Sequence, residues 1–438
     1  MQAPMKLNPR FVFIFAFLMI ALSDFKLQAQ EIEENPLDTL TRYVGGLADD
    51  VLKLKRLKIT GYLQAQYQYC QTEGASSFAG GDFVNGSNKY YSRFMMRRGR
   101  IKFTYEDDFV TFVMQPDISE KGIFMRETYI KLTDPWLNIA SAYGGLIQVP
   151  FGFELVQSSQ VRETPERARF NQILFPVERD LGFFVALTLP KFSPLYGLKL
   201  DLGVMNGSAG VASEFDSHKD FVERLSFSRT NFDETFSFNV GLSNYHGGYR
   251  IGKVKDYNFN TLSNGDHKFE FATDTSNYNR VARRNYQGAD AQLTFELNPF
   301  GITTLRAEYI QGEQPGTDKL SKSLGAAPSS SVYHRKFNGA YFYFVQNIGT
   351  THFQFVAKYD WYDPNSQIAG TEIGKAGTST NIGDIRHDTF GIGLTYRINS
   401  YVKLTGYYDF VKNENTLVSG YEKDIDDNVT TVRLQYRF

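Results

Sequence analysis

Residues 427–438 read DNVTTVRLQYRF, and their alternation decides the fold. Val432, Leu434, Tyr436 and Phe438 fall on one face of an extended chain, with Thr431, Arg433, Gln435 and Arg437 on the other. One face suits hydrocarbon and the other suits water. An unpaired strand edge does not survive in lipid, so this last strand must close on the first strand of the same sheet. Working back from it, Val402, Leu404, Gly406, Tyr408 and Phe410 alternate with Lys403, Thr405 and Asp409. Phe390, Ile392, Leu394 and Tyr396 do the same against Thr389, Thr395 and Arg397, as do Phe353, Phe355, Tyr359 and Trp361 against Gln354, Lys358 and Asp360.

The period of two runs from Leu57 to the end. It predicts sixteen strands: 57–71, 91–106, 109–117, 123–133, 137–148, 181–190, 196–205, 219–230, 233–245, 284–298, 301–313, 334–347, 351–362, 385–398, 401–413 and 427–438. Strands 2, 4 and 12 alternate poorly, so periodicity does not assign their faces. Joints from even to odd strands are short, such as Asp107-Asp108 and Asn399-Ser400, whereas joints from odd to even strands are long except 118–122. A soluble sandwich has no reason to sort its loops by parity. A transmembrane barrel does, with tight turns on the periplasmic side and long loops outside. The fold class is therefore all-β: a sixteen-stranded antiparallel transmembrane β-barrel, wide enough for a water-filled lumen.

Bulk composition agrees. The chain has 438 residues, 15% of them aromatic, and its mean hydropathy is −0.35. No stretch after residue 30 has the uninterrupted apolar run of a membrane helix. Formal charge is −1, which gives nucleic-acid binding no support. Cys70 is the only cysteine, which rules out an intrachain disulfide and a cysteine-rich metal site; it reads as a small apolar residue on a strand.

Residues 1–29 carry Lys6 and Arg10 ahead of the apolar run Phe11 to Leu22, the pattern of a cleaved signal peptide. Removing them takes away Lys6, Arg10, Lys26 and Asp24 and leaves a net charge of −3. Residues 30–56 predict a short periplasmic amphipathic helix in which Leu37, Leu40, Val44, Leu47, Val51 and Leu54 form a heptad seam. The seam fits packing beneath the domain or pairing with copies of itself. Residues 57–438 form the barrel.

The longest early interruption is 149–180, a loop of a length that usually has its own role. From Glu154 to Asp180 it carries Arg162, Arg167, Arg169 and Arg179 against Glu154, Glu163, Glu166, Glu178 and Asp180. It is expected to fold inward as a constriction. Its slightly acidic balance favours internal salt bridges, with Glu178, Arg179 and Asp180 bracing it against the wall.

MRRGRIKFTYEDDF (96–109), GGLIQVPFGFE (144–154) and FPVERDLG (175–182) together resemble the phosphate-selective porin family, porins O and P. GYLQAQYQY (61–69) and the terminal YRF add to the likeness, which covers about 57–438. The resemblance implies an outer-membrane porin of a Gram-negative bacterium, assembled as a homotrimer, with its third loop folded inward and basic residues along an anion path. Small hydrophilic solutes, phosphate among them, are then expected to diffuse through. Terminal Phe438 looks like the signal read by the barrel-assembly machinery.

Arg98, Arg100 and Lys102 share one face at period two if Gly99, Ile101, Phe103 and Tyr105 face lipid. Arginine suits phosphate because its planar fork donates two parallel bonds and keeps its charge. The expected anion path is therefore Arg98, Arg100, Lys102, Arg162, Arg167 and Arg169. Arg97 falls on the wrong parity unless a bulge intervenes.

No catalytic residue, metal ligand or cofactor site is predicted. The six histidines lie mostly in or beside long loops without a motif partner, which weighs against a barrel lipase or protease. A ligand-binding or adhesion barrel using loop 246–283 is the other alternative.

Overall fold

The computed structural model describes residues 36–438 apart from 121, 209–213, 264, 266 and 273–279. The expected signal peptide lies outside the described residues. Contacts divide the chain into residues 1–55 and 56–438. The first unit contains nearly all of α1 (Pro36–Arg56). Pro36 opens the helix, where a missing N–H costs nothing. Along it Val44, Leu47, Val51 and Leu54 are exposed, so this part of the heptad seam is uncovered in the single chain.

In the second unit, eighteen strands belong to one sheet. Two of them, Asp256–Thr261 and His267–Phe271, form a hairpin inside a long loop. The other sixteen are the wall. They are β1 (Leu57–Cys70), β2 (Ser92–Asp107), β3 (Val110–Ser119), β4 (Gly122–Thr133), β5 (Ala140–Gln148) and β6 (Arg179–Thr188). There follow β7 (Leu198–Met205), β8 (Asp220–Thr230), β9 (Phe236–Arg250), β10 (Val281–Leu297) and β11 (Gly301–Gly316). The wall ends with β12 (Val332–Asn347), β13 (Phe353–Asp363), β14 (His387–Arg397), β15 (Val402–Asn413) and β16 (Val429–Arg437).

Each wall strand pairs antiparallel with its neighbours in sequence, and β16 returns to β1 with Tyr62 opposite Arg437 and Cys70 opposite Val429. The barrel is closed. At the seam the Gly61 and Phe438 backbones exchange hydrogen bonds of 3.1 and 3.0 Å. A Cβ at Gly61 would lie 2.5 Å from the Phe438 ring and 2.7 Å from the Arg100 carbonyl, so a side chain at 61 forces the seam to shift.

Turns at one end span 108–109, 134–139, 189–197, 231–235, 298–300, 348–352 and 398–401, and long loops occupy the other end except at 120–121. Two differences from expectation stand out. Strands β9 and β10 run further than their alternation indicated, so the loop between them shrinks to 251–280. Its hairpin packs Tyr257 against Tyr333 of β12 at 4.8 Å. The loop after β5 ends at 178, because Arg179 and Asp180 are already in β6.

The two faces sort as the alternation predicts on β16 and β13. Val432, Leu434, Tyr436, Phe353 and Phe355 are exposed on the outer surface, whereas Thr431, Arg433, Gln435, Lys358 and Asp360 are buried inside. Strand β12 carries aromatics on both faces: Phe342 and Phe344 outward, Tyr341 and Tyr343 inward. The reason is the loop 149–178, which enters the barrel and brings its own apolar core. Phe151, Leu155, Phe170, Ile173, Leu174 and Phe175 of this loop cluster with Phe184, Tyr245, Tyr286, Phe337, Tyr341 and Tyr343 of the wall. Its one short helix is α2 (Arg169–Leu174). Much of the lumen opposite β1–β4 is therefore packed like a protein interior, and polar groups concentrate on the remaining wall.

Candidate functional site

Two bulges build that polar wall. Between β1 and β2, Gln64 pairs with Arg98 and Ala65 with Met96, so Arg97 is an extra residue. Between β3 and β4, Gln115 pairs with Glu127 and Pro116 with Met125, so Arg126 is extra in the same way. A bulge re-aims a side chain that strict alternation would send to the other face. Here each one turns two consecutive charged residues to the lumen: Arg97 and Arg98 both reach Glu166 of the loop, whereas Arg126 reaches Glu178 of the loop and Glu127 pairs with Lys102 and Arg179 of the wall.

Four carboxylates hold these cations, and each is shared. Glu166 of the loop receives a two-pronged contact from Arg97 at 2.8 and 2.9 Å, and Arg98 and Arg433 each reach it at 3.2 Å. Glu178 is gripped by Arg126 at 3.2 Å and by Arg167 and Arg179. Glu127 takes Arg179 at 2.9 Å and Lys102 at 3.2 Å. Asp117 takes Arg100 at 2.8 Å and lies 3.8 Å from Arg126. Eight cations thus face four carboxylates, and the cluster keeps a positive surplus. Burial alone would raise Glu166 and Glu178, but the surrounding guanidiniums hold both carboxyls well below the usual range. Glu163 is likewise lowered against its burial by Arg306, 3.3 Å away.

On the opposite wall the loop is fixed by neutral donors and a buried acid. Glu308 of β11 accepts the Phe153 and Glu154 amides at 3.0 and 3.2 Å and the Tyr341 hydroxyl at 2.8 Å. Glu154 in turn accepts from Tyr343, the Ala168 amide and Asn171 at 2.6, 2.8 and 2.8 Å. Gly152, at φ +58°, lets the backbone lie on the Glu308 carboxylate: a Cβ there would stand 1.9 Å from Oε1.

Two cavities lie toward the short-turn end and both touch Gln160 of the loop. One of about 320 Å³ is lined by Arg100, Lys102 and Arg179 with Glu127 and Tyr129. The other, about 370 Å³, is lined by Arg397, Lys403 and Arg437 and has no acid in its wall.

The candidates read from sequence divide accordingly. Arg98, Arg100 and Lys102 come together on the lumen face, opposite Gln64, Tyr62 and Thr60. Arg162 and Arg167 are buried within the loop and spend donors on carbonyls, Thr164 and Pro165 for one, Glu154, Leu155 and Gln157 for the other. Arg169 stands apart at the long-loop end. Glu178 and Arg179 join the clasp, while Asp180 accepts the amide of Leu181 instead. The loop acids reach mainly to the wall, so the expected internal pairing reduces to Arg167 with Glu178.

Sequence reasoning missed Asp117, Arg126 and Glu127, and placed Glu308 on the lumen face without its hold on the loop. The poor alternation of strands 2 and 4 was the visible trace of the bulges. Cys70 is buried beside Ala79, Phe83 and Val429, and among the described residues no group of His, Cys, Asp or Glu is placed to hold a metal.

These features define a closed sixteen-stranded antiparallel barrel with an inward loop, the fold of outer-membrane porins. Among solved structures, OprB of Pseudomonas putida matches with a TM-score of 0.53 at 10% identity, over 90% of this chain and 97% of its own. The outer membrane channel DcaP of Acinetobacter baumannii matches at 0.50 and 14%, over 87% and 97%. An anion-selective porin from Comamonas acidovorans matches at 0.50 and 11%, over 87% and 99%. At such identities the likeness concerns the fold. No protein-family model matches the chain, and no curated protein does.

Proposed function

We propose that the chain is an outer-membrane diffusion channel of a Gram-negative bacterium, exported by a cleaved signal, that passes small hydrophilic solutes and prefers anions. The observation that carries this reading is the clasp, where eight cations meet four carboxylates along the polar wall and the loop that leans on it. Fixed charge selects ions where a path is narrow and water screens poorly. The acid-free cavity of Arg397, Lys403 and Arg437 extends the positive field toward the short-turn end. Within this reading Arg98, Arg100 and Lys102 line the path, Arg162 and Arg167 stiffen the loop, and Glu178 with Arg179 ties it to the wall. Phosphate as a solute and trimeric assembly rest on the family resemblance.

Planar-bilayer recording tests it. In a KCl gradient the reversal potential is expected on the anion side, and phosphate is expected to reduce chloride current. Absence of conductance overturns the channel, and cation preference overturns the role of the clasp. Phosphate without effect on chloride current removes phosphate from the reading.

A further inference from the structure

Arg169 opens α2 and is 5% exposed. Its backbone N–H donates to Asp360 at 3.1 Å, which fixes the start of the helix. Its guanidinium lies 4.8 Å over the Phe78 ring, a contact that leaves the edge of the fork free. Among the described residues Nε has no hydrogen-bond partner and no carboxylate stands within ion-pair distance. Two other buried atoms at the same place also lack partners: Oδ1 of Asp427, two residues before β16, and the Tyr362 hydroxyl near the end of β13. All three residues line one cavity of about 140 Å³ at the long-loop end, together with Ile173, Ile382, Ile385 and Ile425; Lys319 and His387 also line it.

Buried charges without partners are costly, and the cost falls only when something pairs with both. Burial pulls Arg169 down to about 10, opposed by Asp427 and Asp360. Burial pushes Asp427 up to about 6, opposed by Arg169. The two stand apart across a space, and each favours the charged form of the other. Phosphate would satisfy the arginine but abut the carboxylate. Water would fill hydrogen bonds and leave the charges separated. A zwitterion neutralises both ends at once, and the isoleucines offer an apolar wall for the rest of it. The volume is close to the ~150 Å³ of a cavity that accepts benzene.

We propose that this cavity binds a free α-amino acid with an apolar side chain, its carboxylate on Arg169 and Tyr362, its ammonium on Asp427 and its side chain among the isoleucines. The site lies on the loop's helix, so it names a solute class for the channel; it rests on the channel reading only for the route by which the ligand arrives.

The test uses the full chain in detergent, with thermal unfolding followed by the gel mobility of the folded barrel. L-leucine is expected to raise the unfolding temperature saturably. Isopentylamine and 4-methylpentanoate, each lacking one charge, are expected to bind about tenfold or more weakly, and inorganic phosphate to have no saturable effect. Asp427→Asn and Arg169→Met are each expected to abolish the leucine shift. Should Arg169→Met fail to fold, the isosteric Asp427→Asn and the analogue series on the unaltered protein carry the test. No saturable leucine shift, phosphate acting as strongly as leucine, or full leucine affinity in folded Asp427→Asn overturns the site. KCl conductance of the same preparations reads the channel separately: conductance without leucine binding removes the site alone, and leucine binding without conductance removes the channel alone.

Discussion

Replacing Gly152 by alanine tests whether the loop is held as its contacts imply. The added Cβ would sit 1.9 Å from Oε1 and 2.6 Å from Cδ of Glu308, far inside contact distance, so the carboxylate must leave. It then gives up the amides of Phe153 and Glu154 and the hydroxyl of Tyr341. Each of these buried hydrogen bonds contributes about 0.5–1.5 kcal/mol net. The left-handed backbone at φ +58° adds about 1 kcal/mol for a residue with a Cβ. The anchored state should lose roughly 3–5 kcal/mol, which multiplies excursions of the loop from the wall by more than about a hundredfold. Single-channel recording should show flickering between the basal level and larger conductances, and the Phe153 and Glu154 amides should exchange hydrogen faster. A variant with unaltered conductance, noise and exchange would refute the idea that Glu308 anchors the loop.

Arg98→Ala and Arg100→Ala should each move the reversal potential in a KCl gradient toward zero, and the double variant further; an unmoved potential takes both out of the ion path. Gly61→Val should lower the yield of folded barrel, because its side chain meets the Phe438 ring, and normal yield by heat-modified gel mobility would contradict the seam geometry. Glu163 and Glu166 both titrate below their ordinary range, so their stabilising pairs are complete above the unfolded value and are lost as pH falls through the folded one. The Glu163 and Glu166 contacts should therefore hold from neutral pH to about pH 4.5, and current noise from their loss should appear only in more acid solution. A transition near pH 6 would assign gating to other groups.

The wall was legible in the sequence because its signals are local. Alternation on β13 to β16 and the sorting of tight turns from long loops each need only a few adjacent residues. The bulges were harder to read. An extra residue such as Arg97 or Arg126 exists only relative to the partner strand, and one strand's sequence does not contain its partner's register. The apolar filling of the lumen escaped for a chemical reason. Tyr341, facing the loop, and Phe342, facing outward, differ little to a periodicity count, since lipid and a packed loop make the same demand of a side chain. Arg169 was picked out for its charge. What the sequence lacked was its isolation, which depends on Asp427 more than two hundred residues away.

The seam between Gly61 and Phe438 bears on the order of events in assembly. Because β16 pairs with β1, the two wall strands furthest apart in the chain must meet before the sheet loses its last open edge. Until they do, both edges stay unpaired, and one closure satisfies the backbone groups of both strands at once.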